Sequence, residues 1–592
     1  MILLGELGMR NDNVTKYEAI NEIARRRGFF WSSFEIYGGV SGFLTYGPLG
    51  SLLKRKIEAT FREAFLKPLK MLEIESSIIT PAKVFEASGH VKSFKEPMVE
   101  CSKCKRKFRA DHLLKNQAEM SDSETEKLTL KQVSEEFRRH SIHCPECKGE
   151  FGQPQHFMTM FVTRIGPYSD AVGYGRPEAA QSIFVEFRRL FEVARERLPL
   201  GLVQIGHALR NEISPRQGPI RLREFTIADI EFFFDPENPK CPLLKEFEDE
   251  TLRLIPGALK HQGVKKPLEV GVKKALREGY IETEWLAYFM VLAKRFLNSL
   301  GVPDEKQRFI EKLSWERAHY SSQGYDQEVL LDRLGWTEVS GHNYRADYDL
   351  KQHMKYSKVD LQVFKEYDEP RSVDQLSIKP ILSNIGPTFK KDANRVIELI
   401  ASVDVQRFAQ EIEKKGYFLA DDLKILPKHV QVIRRKVEEK GRKFIPHVVE
   451  PSFGIDRLVY VALEFAYRRK EDRTLLKFPR EVAPIQVAVF PLVTKGGLKK
   501  RAQELQMKLS REGFEVFHDE SGSIGRRYAR ADEAGIPLCI TVDKLTLTDN
   551  TATVRDRNTW TQIRVRIEKL VRNLNEYFNH KIEFEDLGKI DN

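Results

Sequence analysis

The stretch 204–234, QIGHALRNEISPRQGPIRLREFTIADIEFFF, constrains the fold more than any other part of the chain. Its ends have strand character and its centre, SPRQGP, is a turn-forming loop, which predicts an antiparallel hairpin. Strand side chains alternate between faces. The alternation predicts Arg210 and Glu212 on one face, and Phe225, Asp229 and Glu231 together on the returning strand. A guanidinium that neutralises a phosphate, a carboxylate that accepts from an amino group and a ring that stacks on a base together suit ATP. A salt-bridged, solvated hairpin is the alternative for this stretch taken alone.

A second stretch, HVVEPSFGIDRLVYVALEF from residue 447, puts Glu450 and Ser452 on one strand face. A turn at Gly454 then leads into an apolar helix with Arg457 in its first turn, within reach of distal phosphates; an exposed helix charge is the plainer alternative. Cys101-x-x-Cys104 and Cys144-x-x-Cys147 form a CxxC…CxxC pattern that completes a tetrahedral four-thiolate shell. Thiolate softness favours zinc or an iron–sulfur cluster, no accessory redox motif supports the cluster, and four protein ligands leave no open position, which makes the role structural. The long loop between the pairs is expected to carry its own helix. Cys241 and Cys539 stand alone and read as buried thiols.

At 592 residues the chain exceeds one core. No apolar run approaches the ~18 residues of a membrane span, residues 1–13 lack the features of a secretory signal, and cysteine usage fits a reducing compartment, so the cytoplasm is the expected location. The net charge of +11 suits a polyanionic partner, although a basic but ordinary surface has the same charge. Helical spacing covers 52–66 (Leu53, Ile57, Phe61, Phe65) and 183–198. From about residue 480, short apolar runs (IQVAVF, FEVFHD, LCITVD) alternate with helical patterns such as 498–511, which predicts a separate α/β module.

RNEISPRxGxIRxREFT resembles motif 2, and EPSFGIDR motif 3, of the glycyl-tRNA synthetases of archaea and eukaryotes, which are homodimeric class II aminoacyl-tRNA synthetases. The resemblance extends to residues 26–50, FEASGHV (85–91), YGRPEAAQSIF (174–184), LGWTEVSG (334–341), YDLKQH (348–353) and residues 523–543, and weakens over 237–310 and 354–440. It implies an α+β fold, with a class II antiparallel-sheet catalytic core carrying insertions and a C-terminal α/β anticodon-binding domain. The expected layout is 1–96 (catalytic, with motif 1 ending near Pro81), 97–150 (zinc-binding insertion), 151–236 (catalytic, motif 2), 237–310 (helical insertion), 311–480 (catalytic, motif 3) and 481–592 (anticodon-binding).

The resemblance also implies ATP-dependent activation of glycine and its transfer to tRNA-Gly, with Mg2+ bridging the phosphates and structural Zn2+ at the cysteines. Carried over by position, ATP would meet Arg210, Asn211, Glu212, Ile220, Arg221, Leu222, Arg223, Glu224, Phe225, Glu338, Val339, Gly454 and Arg457. Of these, Arg210, Glu212 and Arg457 would be catalytic. Glycine would meet Glu178, Asp229, Glu450, Pro451 and Ser452. The chain departs from the family pattern at several positions. Asp229 stands where Glu is expected, and Ala179 and Ser182 replace Thr and Gly. Ala208 and Leu209 also differ, and His342, Asn343 and Tyr344 replace Ile, Ala and Asp, while Arg345 is kept. These departures leave open a paralogue with altered amino-acid or acceptor specificity, or a non-catalytic tRNA-binding paralogue.

Overall fold

The computed structural model describes residues 14–590 except 126, 168–170, 216–217, 318–319 and 421. The reading of residues 1–13, and Arg216 and Gln217 of the SPRQGP loop, lie outside the described residues. The chain divides into two compact bodies, one made of residues 1–361 and 446–592 and the other of 362–445.

Among the described residues of the larger body, nine strands form its central sheet: β1 (Leu72–Glu73), β2 (Leu200–Leu209), β3 (Glu224–Phe234), β4 (Thr251–Ile255), β5 (Leu268–Gly271), β6 (Gln307–Glu311), β7 (Gln323–Leu331), β8 (Gly335–Ala346) and β9 (His447–Gly454). Their order is β5-β4-β6-β7-β8-β9-β3-β2-β1. Pairing is antiparallel from β6 through to β2, and the joins β4–β6 and β2–β1 are parallel. The predicted hairpin is the β2–β3 pair.

Alternation gives the sheet two unlike faces. Ile230 and Phe232 of β3, Val449 and Phe453 of β9 and Tyr325 of β7 point into the main core. That face is covered by α1 (Pro48–Phe61), α3 (Glu284–Ser299) and α5 (Ile455–Ala466), numbered among five helices with α2 (Ala180–Val193) and α4 (Tyr348–Ser357). α1 starts with proline at its first turn, where a missing N–H costs nothing, and buries Leu53, Ile57 and Phe61. It passes into a π-helical turn, Arg62–Leu66, that brings the Phe65 ring to 4.8 Å from Phe61. α3 is capped by the Thr283 hydroxyl and buries residues on all sides, Trp285, Phe289 and Phe296 among them. Phe453 is the centre of this packing, with ring centroids 5.4 Å from Phe61, 5.0 Å from Phe65 and 5.7 Å from Phe296.

The structure departs from the sequence expectations at several places. The helix expected over 183–198 stops at Val193: Arg195 and Glu196 turn to positive φ, and Leu198 precedes Pro199, a position that disfavours helix. The stretch 237–310, expected to be a helical insertion, supplies β4, β5 and most of β6 to the central sheet, and its long helix α3 lies in the main core. Its short strands are bounded by helical turns, and this local pattern hid the pairing. The expected 311–480 block is interrupted by the second body. There the strands Val363–Pro380 and Val430–Phe444 pair antiparallel, and three helices close a core of Ile385, Val396, Ile400, Phe408 and Phe418.

Residues 95–158 hold a three-stranded sheet and the helices Ala110–Ala118 and Leu130–Arg139, so the loop between the cysteine pairs does carry helices. The C-terminal stretch is a six-stranded sheet of β10 (Val487–Pro491), β11 (Val516–His518), β12 (Leu538–Val542), β13 (Thr551–Asp556), β14 (Gln562–Arg566) and β15 (Lys589–Ile590). Its order is β11-β10-β12-β13-β14-β15, the first three strands parallel, with α6 (Leu498–Arg511), α7 (Ile524–Ala534) and α8 (Ile567–Phe578) packed on it. No described helix is long and apolar enough to cross a membrane.

Phe453→Ala would open a cavity among three rings, and a loss of about 3–5 kcal/mol is expected. Thermal or denaturant melting of the full chain should show the larger body's transition shifted down while near-native far-UV circular dichroism remains at low temperature.

Candidate active site and candidate metal centre

The pairing register builds a two-row grid on the sheet face opposite the aromatic core. In one row Gln204, Asp229, Ser452, Gly341 and Asp326 stand side by side on β2, β3, β9, β8 and β7. In the next, Glu450 of β9 pairs with Asn343 of β8, which pairs with Gly324 of β7, and Glu231 lies two residues along from Asp229. A cavity of about 270 Å³ opens above this grid. Its wall carries Glu178, Arg210, Glu212, Phe225, Glu338, Val339, Glu450, Ser452, Gly454 and Arg457 from the sequence expectations. Ile220, Arg221 and Leu222 line it too, whereas Asn211, Arg223, Glu224, Asp229 and Pro451 stay outside.

One end of the cavity is basic and aromatic. Arg210 and Glu212, expected on one strand face, lie in the loop after β2, because the ladder ends at Leu209. The Arg210 N–H still donates across the hairpin to the Arg223 carbonyl at 2.8 Å, the Asn211 N–H donates to the Thr159 carbonyl at 2.7 Å, and side chains hold the rest of the loop. Arg223 donates from Nε and Nη2 to the Glu212 carbonyl, at 3.1 and 2.8 Å, and Arg221 grips the Glu212 carboxylate at 2.7 Å. The Arg210 guanidinium sits 5.4 Å from the Phe225 ring and donates to the Pro177 carbonyl at 3.0 Å. Across the cavity Arg457 donates to the carbonyls of Ile220, at 3.0 Å, and Glu338, at 2.7 Å. Asp456 anchors this end from beneath, accepting from the Tyr46 hydroxyl at 2.5 Å and pairing with Lys54 at 3.3 Å. Two guanidinium groups, one of them over an aromatic ring, give this end chemistry suited to phosphate groups and a flat base.

The other end is acidic and deep. Arg345, fully buried, donates from Nε and Nη2 to Asp349 at 2.8 Å each and from Nη1 to Glu450 at 2.8 Å, with the Tyr320 ring 3.6 Å from its guanidinium carbon. Asn343 donates to the other Glu450 oxygen at 3.0 Å. Burial pushes Glu450 up to about 7; Arg345 opposes the shift, and Glu178 and Asp229 add to it. Glu178 goes the other way. Burial raises it, but the ring of His90, 3.1 Å away, together with Arg345 holds it below the ordinary carboxylate range. Asp229 is raised by burial, and its two oxygens accept from the Ser452 hydroxyl at 2.5 Å and the Ala179 N–H at 2.7 Å. It therefore backs Ser452 without facing the cavity. Burial, then the neighbouring Glu450, pushes Glu231 well above its usual range, and neither of its oxygens has a hydrogen-bond partner. Several carboxylates converging on a small cavity suit a substrate ammonium group.

Lys312, Tyr320 and Asn343 line the cavity and Arg345 braces it, though none of them was among the expected site residues. Asn343 and Arg345 had a sequence signal, a departure and a retained residue beside it. Lys312 and Tyr320 lie in no motif and had none. The departures at His342 and Tyr344 do not reach the cavity. Both side chains point to the aromatic face, where His342 lies 5.7 Å from Phe453 and Tyr344 bonds His447 at 2.6 Å. Ala179 contributes its backbone, and Ser182 is buried in the first turn of α2.

Apart from this cavity, Cys101, Cys104, Cys144 and Cys147 bring their sulfurs within 4.8 Å of one another. Two like turns present them: Lys105 N–H donates to Cys101 O at 3.0 Å and Lys148 N–H to Cys144 O at 2.9 Å, and both lysines have φ of 58°. A Cβ on Gly149 would meet the sulfurs of Cys101 and Cys147 at 3.1 and 3.3 Å, so glycine there lets the second turn close over the first. The four thiols can hold one metal ion.

The antiparallel sheet, the motif-2 and motif-3 side chains around one cavity and the appended α/β module define a class II aminoacyl-tRNA synthetase. A Giardia lamblia prolyl-tRNA synthetase in complex with prolyl-adenylate shares the fold, with a TM-score of 0.51 at 12% identity over 94% of this chain and 74% of that one. The anticodon binding domain family matches residues 486–577. The glycine–tRNA ligase of Thermococcus kodakarensis is 48% identical over 95% of this chain and 98% of its own length. Those of Aeropyrum pernix and Methanocaldococcus jannaschii are 44% and 45% identical, over 97% and 95% of this chain and 98% of their own length each. The chain belongs to the glycine–tRNA ligase family.

The buried Glu450 carries a checkable pH signature. Its folded pKa of about 7 lies above the ordinary 4.5, so between these values the folded state holds a proton that the unfolded chain has lost. Its contribution to stability is therefore lost as pH rises through that window. Melting temperatures of native protein and Glu450→Gln, measured from about pH 5 to about pH 8, should shift in favour of the variant as pH rises to 7 and then run parallel.

Proposed function

We propose that this chain attaches glycine to tRNA in two steps driven by ATP. The observation that carries the reading is the cavity itself, with a phosphate-binding end at Arg210 and Arg457 and a small acidic end at Glu178 and Glu450. In the first step the amino-acid carboxylate oxygen bonds to the α-phosphorus, the bond to the bridging oxygen breaks, and pyrophosphate leaves. Arg210 holds the α-phosphate and incoming carboxylate, Phe225 stacks on the adenine, Glu212 accepts from the adenine amino group, and Arg457 holds the γ-phosphate. Such a transfer depends on positioning and charge neutralisation, so no protein base is assigned. In the second step the terminal ribose hydroxyl of the tRNA attacks the acyl carbon and AMP departs.

The acidic end reads glycine by gripping its ammonium between Glu178 and Glu450, with Asp229 backing Ser452, and by leaving no room for a side chain. Glu338, whose carboxylate lies 3.5 Å from Arg457, would help hold Mg2+, which would add charge neutralisation at the phosphates. Zn2+ suits the four soft thiolates, where it would hold the 97–150 module folded. Thiolates kept reduced support a cytoplasmic location. An apolar surface at Phe34, Ile36, Tyr37 and Val40, with Ile36 88% and Tyr37 85% exposed, supports a homodimer. The anticodon-binding module and the positive charge support tRNA-Gly as the nucleic-acid partner.

Pyrophosphate exchange run with each standard amino acid separately tests the reading. Glycine alone should drive exchange, and exchange driven by another amino acid or by none would overturn the assignment. Elemental analysis should find about one zinc per chain. Cys104→Ser or a strong chelator should remove it and lower the melting temperature without abolishing ATP binding.

A further inference from the structure

Asn343 is the one departure from the family pattern whose side chain lines the cavity. We propose that Asn343 is a positioning and selectivity residue for the amino acid, an inference that rests on the glycine-activation reading above.

Its neighbours argue for both roles. Nδ2 donates to Glu450 Oε2 at 3.0 Å while Arg345 Nη1 donates to Oε1 at 2.8 Å. Each carboxylate oxygen thus takes one donor from the protein, which fixes the plane of the group and leaves acceptor capacity for an ammonium. The amide is neutral. It steadies the carboxylate without cancelling the negative charge the ammonium needs, as a lysine or arginine at this position would.

The Glu450 carboxylate also sets the amide orientation. Swapping the two ends would turn the amide oxygen toward the Glu450 carboxylate, acceptor against acceptor; on the far side Oδ1 lies 3.3 Å from the Ser321 hydroxyl. Gly324, the cross-strand partner of Asn343, makes the room, because a Cβ there would come within 2.6 Å of Asn343 Oδ1.

Asp229 makes the role weightier. It spends its oxygens on Ser452 and the Ala179 N–H and does not line the cavity. The grip on the ammonium then falls on Glu178 and Glu450, and Asn343 sets the second of these. The amide also occupies floor space that a smaller side chain at 343 would leave open to an α-methyl group.

The test is pyrophosphate exchange by the full-length, zinc-loaded protein with glycine and with alanine, comparing wild type, Asn343→Ala and Asn343→Asp. The alanine variant should raise the glycine KM about tenfold, the loss of one hydrogen bond to a charged group, with ATP KM within about twofold and kcat little changed. It should also raise alanine use relative to glycine by about tenfold, the discrimination one methyl group carries. Asn343→Asp keeps the volume but removes the donor, so it should raise the glycine KM at least as much while still rejecting alanine. A glycine KM within about twofold of wild type in both variants, with no gain in alanine use, would overturn the proposal alone. A wild type without glycine-dependent exchange would overturn the underlying reading and this proposal with it. If Asn343→Ala does not fold, Gly324→Ala drives a Cβ at the same amide and should raise the glycine KM; an unchanged KM there would likewise overturn the proposal.

Discussion

The pairing register of β3, β9 and β8 is the constraint on which the site depends. On one side of these strands Phe232, Phe453 and His342 pack under α1 and α3; on the other, Ser452, Gly341, Glu450 and Asn343 face the cavity, with Asp229 behind Ser452. A slip of one residue in β9 would turn Glu450 and Ser452 into the aromatic core and Phe453 out of it. The cost of burying a carboxylate among phenylalanines, added to the loss of three ring contacts, is what holds the register. Core packing on one face therefore sets the chemistry on the other.

Charge at the acidic end follows from that placement. Once the register brings several carboxyl groups together in a buried place, they cannot all ionise unaided. Arg345 satisfies Asp349 and Glu450 together, His90 stabilises Glu178, and Asp229 accepts two short hydrogen bonds. Glu231, with no partner and Glu450 beside it, is the carboxyl most easily kept neutral. The result is a cavity end whose carboxyl groups are braced by the protein, with Glu178 the one held in its ionised form.

The departures from the family pattern sort by strand parity. In the run from His342 to Tyr344 only the middle residue faces the cavity, and the outer two fill the aromatic side, where His342 and Tyr344 are tolerated as packing residues. The shorter Asp229 is accommodated because Ser452 and the Ala179 N–H come to meet it. Of these departures, position 343 stands in the cavity wall and position 229 directly behind Ser452.

The sequence by itself determined the β2–β3 hairpin, the Glu450–Arg457 strand-to-helix unit, the two cysteine turns and the α/β tail, because each is written in residues near one another along the chain. It also carried the family pattern, and with it most residues of the cavity wall. Tertiary structure alone decided that 237–310 completes the central sheet, that residues 362–445 form a body of their own, and that Lys312 and Tyr320 join the cavity. It also decided that Arg210 and Glu212 leave the strand and that Asp229 stands behind Ser452. Those outcomes depend on which distant strands pair and in what register, and local periodicity reports the face a residue takes on its own strand but not the strand that will lie beside it.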